Sequence, residues 1–429
     1  MPATAEHADA GRADAGRADA DRADAEHADT DRPARIPEVD ALRGFALLGI
    51  LLVNALMMAG PYGTGGPLDP DASSLDRSVE GVVQALAVGK FYLMFSFLFG
   101  YSFTLQQASA AHAGASAAPR MLRRSLGLLV LGVLHAVLLY TGDILMTYAL
   151  LGLILIAARN CSPRTALRAA RIVYGCASAF LLLLGLASLL VSDAETARAD
   201  KELTAGFAAM VADYRGDAAS VVRANLGQLP DALLAVPLMG GFVLAAFLTG
   251  LYCGKRRLLA DTGRHVARMR RICVLGTAVG LPGSLFMAAT AAGGALGPRW
   301  TLLGSVVGMV TAPALTAAYV CGMFLFMKTA RGARTAVLLA PAGRMALTNY
   351  LSQSLVMALA FTAYGLALYD RLGATAVVLG ALALYGSQLA LSKHLMSRYR
   401  YGLVEWLLRA VTLARLPRSR DEHHIPVAS

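Results

Sequence analysis

Long apolar segments separated by short polar connections dominate the chain from about residue 42 to residue 392. Runs of 18 or more apolar residues recur there, and about 20 such residues carry a helix across the hydrocarbon of a bilayer. The period-two alternation of a membrane barrel is absent. Helices satisfy their own backbone hydrogen bonds in lipid, so the pattern predicts an all-α, polytopic membrane protein. We predict about ten transmembrane helices, at 42–60, 82–106, 121–141, 143–160, 171–191, 233–253, 272–292, 301–327, 344–364 and 372–392.

The same pattern divides the chain into five parts. Residues 1–34 repeat a five-residue unit with almost nothing larger than alanine to bury, which predicts a disordered low-complexity tail. The first five helices occupy 35–191 and the last five occupy 233–392. Between them, 192–232 is predicted as an extracytoplasmic loop. Residues 393–429 are predicted as a basic tail with an interfacial helix.

Basic residues alternate between successive connections. The segment 107–124 carries three Arg and no acid, and 254–271 carries seven Lys or Arg against one Asp. By contrast, 61–81 has one Arg against four acids, and 192–232 has four basic against seven acidic residues. Cytoplasmic loops are enriched in Lys and Arg, so both termini are predicted to be cytoplasmic, in a plasma membrane. The formal charge of +11 is then an orientation signal that does not call for nucleic acid.

Composition agrees with a membrane protein and limits the chemistry. The chain is 56% apolar and 16% charged, whereas soluble proteins average about 25% charged residues. Its five cysteines show no CxxC spacing and no cluster with histidine, so no metal site is predicted. No phosphate-binding loop or GxSxG motif occurs in a convincing context, and we predict no bound cofactor.

Four rare polar residues, Asn54, Lys90, His135 and Asp143, are the candidates for function. His135 alone of the eight histidines falls inside a predicted span, and ionisable groups in hydrocarbon are costly enough to be functional candidates. At 1.5 Å per residue, the predicted spans place all four in the outer half of the membrane. Polar groups from separate helices at one depth suggest a shared, hydrated cavity.

Each of the four has a structural alternative. Lys90 could extend toward the membrane surface, and Asn54 or His135 could bind a neighbouring helix through a hydrogen bond. Asp143 could simply cap the fourth span. Eight residues separate His135 from Asp143, about 12 Å along a helix, so direct contact requires the chain to turn at 141–142.

Five segments of the chain together carry a family resemblance. They are Arg35–Asn54, Lys90–Gly100, His135–Tyr148, Gly343–Ser354, and Glu405–Trp406 with Arg409. In combination they resemble the YeiB-like membrane proteins that carry domain of unknown function 418. The resemblance covers roughly 35–415, with the C-terminal domain from about 233, although Gly402 lacks the usual following proline. Within the fourth segment, Asn349 and Gln353 are spaced to share one helix face toward the bundle.

This family is distantly similar to the transmembrane acyltransferases that include heparan-α-glucosaminide N-acetyltransferase. The shared opening is present as Asp40, Arg43, Gly44, Val53 and Asn54. The catalytic histidine of those enzymes follows their first helix, but 61–81 contains no histidine, so that assignment does not transfer. The resemblance implies acyl transfer from a cytoplasmic donor to an extracytoplasmic glycan or a lipid-linked acceptor.

Acyl transfer requires a base for the nucleophile and a donor for the oxyanion. We assign these roles to His135 as base, Asp143 as its orienting partner, and Lys90 or Asn54 as oxyanion donor. Acyl-CoA is the expected co-substrate. Four basic residues are expected to bind it, although the positive-inside rule explains their presence equally well. Those residues are Arg123, Arg124, Arg256 and Arg257.

The alternative function is a small-solute transporter or permease with its polar site in the outer half of the membrane. Interruptions such as 281–283, with the sequence Leu-Pro-Gly, suit the broken helices of transporters. No convincing inverted repeat relates the two halves. A membrane scaffold is a third class, but it would leave the layer of polar residues unexplained. Membrane lipids are expected partners in every case.

Overall fold

The computed structural model describes residues 36–63, 69–292 and 297–417, so the predicted tail 1–34 lies outside the described residues. Within these ranges the regular elements are helices, which confirms the all-α prediction. The α-helices are α1 (Pro37–Ala59), α2 (Ser74–Leu86), α3 (Lys90–His112), α4 (Ala117–Leu138), α5 (Leu145–Ala157), α6 (Pro163–Ala187), α7 (Asp193–Ala205), α8 (Phe207–Arg215), α9 (Ala218–Lys255), α10 (Val266–Ala291), α11 (Trp300–Met327), α12 (Ala330–Arg344), α13 (Ala346–Phe361), α14 (Ala374–Met396) and α15 (Leu403–Leu413).

Seven helical segments of the described chain are long and apolar enough to cross a membrane, which makes this a multi-pass membrane protein. They correspond to α1, α2 with α3, α4, α6, α10, α11 and α14. The two halves of α9 add an eighth if they form one span, although they meet at 66°. The count of about ten stays a prediction, because α5 and α13 have only 13 and 16 residues.

The region between the two predicted groups of spans is itself helical. Residues 192–232 form α7, α8 and the first part of α9. A capping box opens α7, in which the Ser192 hydroxyl accepts from the Glu195 N–H and the Glu195 carboxylate accepts from the Ser192 N–H. Hydrogen bonds to the Glu195 carboxylate from the Ser192 hydroxyl and from the Ser192 N–H lower the pKa of Glu195 below its usual value. A helical connection can pack as a rigid cover on the bundle beneath it.

Small residues bring α3 and α9 into backbone contact. A Cβ atom added to Gly100 would lie 2.0 Å from the carbonyl oxygen of Phe247. One added to Gly250 would lie 2.1 Å from the carbonyl oxygen of Phe97. Van der Waals packing at small residues is a main source of helix association in membranes. This contact fixes α3 and α9 at the centre of the bundle.

Buried amides connect α13 to α14. The Asn349 side-chain amide donates to Ser392 Oγ at 3.0 Å, and the Gln353 amide donates to Gln388 Oε1 at 2.7 Å. Gln388 in turn donates to the Asn349 carbonyl at 3.1 Å. Asn349 and Gln353 therefore share one face toward the bundle, as their spacing predicts. Such bonds contribute about 0.6 kcal/mol each in membranes, and they hold α13 against α14.

The last helix, α15, packs on α4 and caps α13. Leu408 is buried, and a Cβ on Gly127 of α4 would lie 2.8 Å from its methyl group. The Glu405 carboxylate accepts from the backbone N–H groups of Leu347 and Thr348, at 2.6 and 3.0 Å. A carboxylate at a helix N-terminus satisfies otherwise unbonded N–H groups. The helix predicted within 393–429 is thus present and holds α4 and α13 together.

Candidate functional site

A sharp turn between α4 and α5 builds the candidate site. The helix α4 ends at Leu138, and the N–H groups of Leu139 and Tyr140 both donate to the His135 carbonyl at 2.9 Å. The chain then turns through 139–144 before α5 begins at Leu145. A contact between His135 and Asp143 requires the chain to turn at 141–142, and the observed turn includes these two positions.

The turn places His135 against Asp143. Nδ1 of the imidazole lies 3.0 Å from Oδ1 of the carboxylate, and each side chain is 1% exposed. The angle falls outside that of a hydrogen bond, so the contact is electrostatic rather than an aligned bond. Nε2 of His135 is buried and has no hydrogen-bond partner among the described residues. One ring nitrogen thus faces a carboxylate while the other is available for a ligand.

Asp143 has a second role in the same position. Its other oxygen, Oδ2, accepts from the Met146 N–H at 2.7 Å and caps the start of α5. The capping alternative and the contact with His135 therefore coexist, one on each carboxylate oxygen. Because this hydrogen bond holds the Asp143 carboxylate in place, it also fixes the position of the oxygen that the His135 imidazole contacts.

Gly132 makes the contact sterically possible. It lies one turn before His135, and a Cβ atom there would be 2.8 Å from Asp143 Oδ2 and 2.7 Å from the Met146 nitrogen. A real side chain would therefore push the start of α5 away from α4. Sequence reasoning missed this residue, because one glycine among many in an apolar run carries no distinguishing signal.

Two tyrosines line the imidazole. The ring of Tyr350, on α13, lies 5.1 Å from the ring of His135, and the ring of Tyr140 lies 6.4 Å away and edge-on. Tyr350 is buried, and its hydroxyl has no hydrogen-bond partner among the described residues. Sequence reasoning also missed Tyr350, although it falls inside the family-like segment Gly343–Ser354. The site thus joins α4, α5 and α13.

The helical region 192–232 covers this site. The Asn225 amide donates to the Val137 carbonyl at 3.1 Å, and the Tyr214 hydroxyl donates to Asn225 Oδ1 at 2.7 Å. Tyr214 also stacks on Tyr369, with ring centroids 4.6 Å apart. These contacts tie α8 and α9 to the last turn of α4. A ligand can therefore reach His135 only if this cover or a neighbouring helix moves.

Lys90 and Asn54 have no hydrogen bond or ion pair with His135 or Asp143 in the described part of the chain. Gly89 adopts a left-handed conformation with φ of 84°, so α3 begins at Lys90 itself. The buried ammonium turns back to α2 and donates to the Gln84 carbonyl at 3.4 Å. Asn54 is half-buried. A cavity shared by all four residues stays a prediction.

The four arginines predicted to meet acyl-CoA have different surroundings. Arg123 donates to the Thr412 carbonyl at 3.1 Å and so caps the end of α15. The guanidinium of Arg124 lies 5.8 Å from the ring centroid of Phe99, within reach of a cation–π contact. Arg256 and Arg257 are exposed after α9. The first two thus make contacts within the protein, and the other two lie exposed on a separate segment. Binding of acyl-CoA by these residues stays a prediction.

A polar cleft of about 370 Å³ opens where α1 ends and α14 begins. Most of its charged residues are acidic, and one is Arg371. Burial raises the pKa of Asp370; Arg215 opposes this shift, and Asp69 and Asp71 add to it. The acidic residues of the cleft are Asp69, Asp71, Asp76, Glu80 and Asp370. The described residues contain no group of His, Cys, Asp and Glu suited to hold a metal ion.

Comparison with known proteins finds sequences that are similar to this chain. Residues 253–415 match the family model described as "Protein of unknown function (DUF418)". The uncharacterized protein YxaH of Bacillus subtilis (strain 168) is 29% identical over 398 residues, covering 88% of this chain and 94% of YxaH. The uncharacterized protein YeiB of Escherichia coli (strain K12) is 28% identical over 402 residues, covering 87% of this chain and 95% of YeiB.

Gly132→Ala should separate Asp143 from His135 and destabilise the protein. Overpacking typically costs about 1–3 kcal/mol, and here the added methyl group meets a backbone nitrogen that cannot move alone. Gly127→Ala is the matched control, because its Cβ meets only side-chain methyl groups, of Leu408 at 2.8 Å and of Val411 at 3.6 Å. Thermal unfolding of both variants in the same detergent measures the difference. Equal stability of the two variants would contradict the proposed role of Gly132.

Proposed function

We propose that this chain, which belongs to the YeiB-like DUF418 family of membrane proteins, is an acyltransferase that uses His135 as its base. The observation that supports this most directly is the buried contact between His135 Nδ1 and Asp143 Oδ1 at 3.0 Å. It leaves Nε2 without a hydrogen-bond partner among the residues described. A base oriented by a carboxylate, with its second nitrogen free, is the arrangement that activates a nucleophile in acyl transfer.

The proton path follows from the two ring nitrogens. The acceptor's O–H or N–H proton passes to His135 Nε2 while its oxygen or nitrogen bonds to the carbonyl carbon of a thioester donor. Collapse of the intermediate breaks the carbon–sulfur bond, and the imidazolium returns the proton to the thiolate of coenzyme A. Asp143 stabilises the imidazolium that forms between these steps. No other reactant is consumed.

The oxyanion requires a hydrogen-bond donor beside the imidazole. Tyr350 replaces Lys90 and Asn54 in this role, because its ring lies 5.1 Å from that of His135 and its hydroxyl is buried. The acidic cleft at the end of α1 shares no lining residue with the His135 site, but an acceptor that enters past it would be neutral or amine-bearing rather than anionic. A glycan or a lipid-linked hydroxyl or amine meets this requirement.

We also propose a plasma-membrane orientation with both termini in the cytoplasm. The support is the alternation of Lys and Arg between connections. In this orientation α7 and α8 lie outside, and the segment between α9 and α10 lies inside. The donor then approaches from the basic side and the acceptor from the acidic cleft.

Cysteine labelling tests the orientation. In a variant with Cys176 replaced by serine, Lys201→Cys on α7 should react with a membrane-impermeant maleimide in intact cells. Arg264→Cys should react only after permeabilisation; both positions are exposed, so exposure does not confound the comparison. Labelling of Arg264→Cys but not Lys201→Cys in intact cells would reverse the orientation.

His135→Gln should abolish most of the acyl transfer while the protein stays folded. Positioned acid–base catalysis contributes about 10²- to 10⁴-fold, so activity should fall by that order. Tyr350→Phe should cost about 10²- to 10³-fold if its hydroxyl is the oxyanion donor. Release of coenzyme A from acyl-CoA, with envelope lipids and glycans as acceptors, measures the rate of purified protein in lipid discs.

The matched control is His394→Gln, an exposed histidine at the end of α14, which should leave the rate unchanged. Full activity of folded His135→Gln would remove the histidine from the chemistry. If the wild type consumes no acyl-CoA but moves a solute across liposomes with His135-dependent proton exchange, the protein is a transporter instead.

A further inference from the structure

A second cavity, of about 400 Å³, lies among α3, α6, α9, α10 and α11. Ligand pockets typically measure about 300–1,000 Å³. The lining contains no residue from α4, α5 or α13, so the cavity is separate from the His135 site. Its inner wall is mainly apolar and includes Leu93, Phe97, Phe242, Met269, Ile272 and Val320. Such a wall suits a hydrocarbon chain.

Three basic side chains also line this cavity. They are Arg171 on α6, Arg268 on α10, and His265 just before α10. Both arginines are exposed, and His265 is half-buried. None of the three has an ion pair or side-chain hydrogen bond to a residue in the described part of the chain. Their donors are therefore available to an anionic group outside the protein.

The helices that flank the cavity present apolar side chains outward. Ile172, next to Arg171, is 59% exposed, and Val274 and Leu275 on α10 are 68% and 58% exposed. In a membrane-spanning helix such side chains face lipid rather than water. The basic groups are thus flanked by lipid-facing surface, which a membrane lipid can approach laterally.

We infer that this cavity binds an anionic phospholipid, with one acyl chain among the apolar side chains and the phosphate on Arg171 and Arg268. Charge complementarity identifies the headgroup, because two exposed arginines and a histidine favour a phosphate-bearing headgroup with net negative charge over a zwitterionic headgroup. Basic pockets between transmembrane helices bind anionic headgroups in this way. The inference stands apart from acyl transfer, since it uses no residue of the His135 site.

Native mass spectrometry of the full-length protein tests this site. The protein is equilibrated with discs of phosphatidylglycerol or of phosphatidylcholine with identical acyl chains, and the retained lipid is counted. Each basic contact near the surface contributes about fivefold in affinity, so phosphatidylglycerol should bind about 25-fold better when both arginines act. Arg171→Gln with Arg268→Gln should remove this preference.

Two further variants locate the lipid. Arg270→Gln removes an exposed arginine of the same helix that does not line the cavity, and the preference should persist. Ala317→Phe fills the cavity without changing charge and should reduce lipid retention. If that variant fails to fold, the arginine pair still decides the question.

Equal retention of the two lipids by the wild type would overturn the inference. An Arg270→Gln variant that loses the preference as fully as the double variant would also overturn it, because a diffuse surface charge would then suffice. Displacement of phosphatidylglycerol by a long-chain acyl-CoA at equal concentration would reassign the cavity to a water-soluble acyl donor.

Discussion

The contact between His135 and Asp143 is the constraint on which the rest of the site depends. Ionisable groups inside a membrane protein are expensive unless each finds a partner. Here the two side chains lie 3.0 Å apart at 1% exposure. That approach exists only because Gly132 leaves room for the start of α5. The pair is therefore a product of the α4–α5 turn rather than of either helix alone.

The surrounding helices keep this pair in place and keep water out. Glu405 caps α13, and α13 in turn presents Tyr350 to the imidazole. On the other side, Asn225 and Tyr214 tie the cover to the end of α4. Low solvent access strengthens electrostatic interactions at such a site but also closes it to substrates. Motion of the cover is thus part of any function at His135.

Two proline residues lie in the bent helix that forms part of the cover. The helix α9 contains Pro230 and Pro237, each of which removes a helical hydrogen bond, and its two halves meet at 66°. The first half carries Asn225 above the His135 site, and the second half forms a wall of the apolar cavity. A single bent helix therefore contacts both sites.

The sequence predicted the features that depend on local pattern. Apolar runs indicated the all-α membrane fold, and the eight-residue spacing showed where the chain had to turn for His135 to meet Asp143. The predicted layer that contains Lys90 and Asn54 stays a prediction, although the second predicted span, 82–106, is interrupted at Gly89. The break at Gly89 makes Lys90 the first residue of α3 and turns its ammonium to Gln84. Gly132 and Tyr350 act only through tertiary contacts, which spacing along one chain does not reveal.

A double-mutant cycle on unfolding free energy tests the His135–Asp143 contact most directly. His135→Gln, Asp143→Asn and the double variant are unfolded in the same lipid discs as the wild type. The structure predicts a coupling energy of about 0.5–3 kcal/mol, because each single change leaves the other buried group without its partner. Additive losses, within about 0.3–0.5 kcal/mol, would mean that the two side chains do not interact.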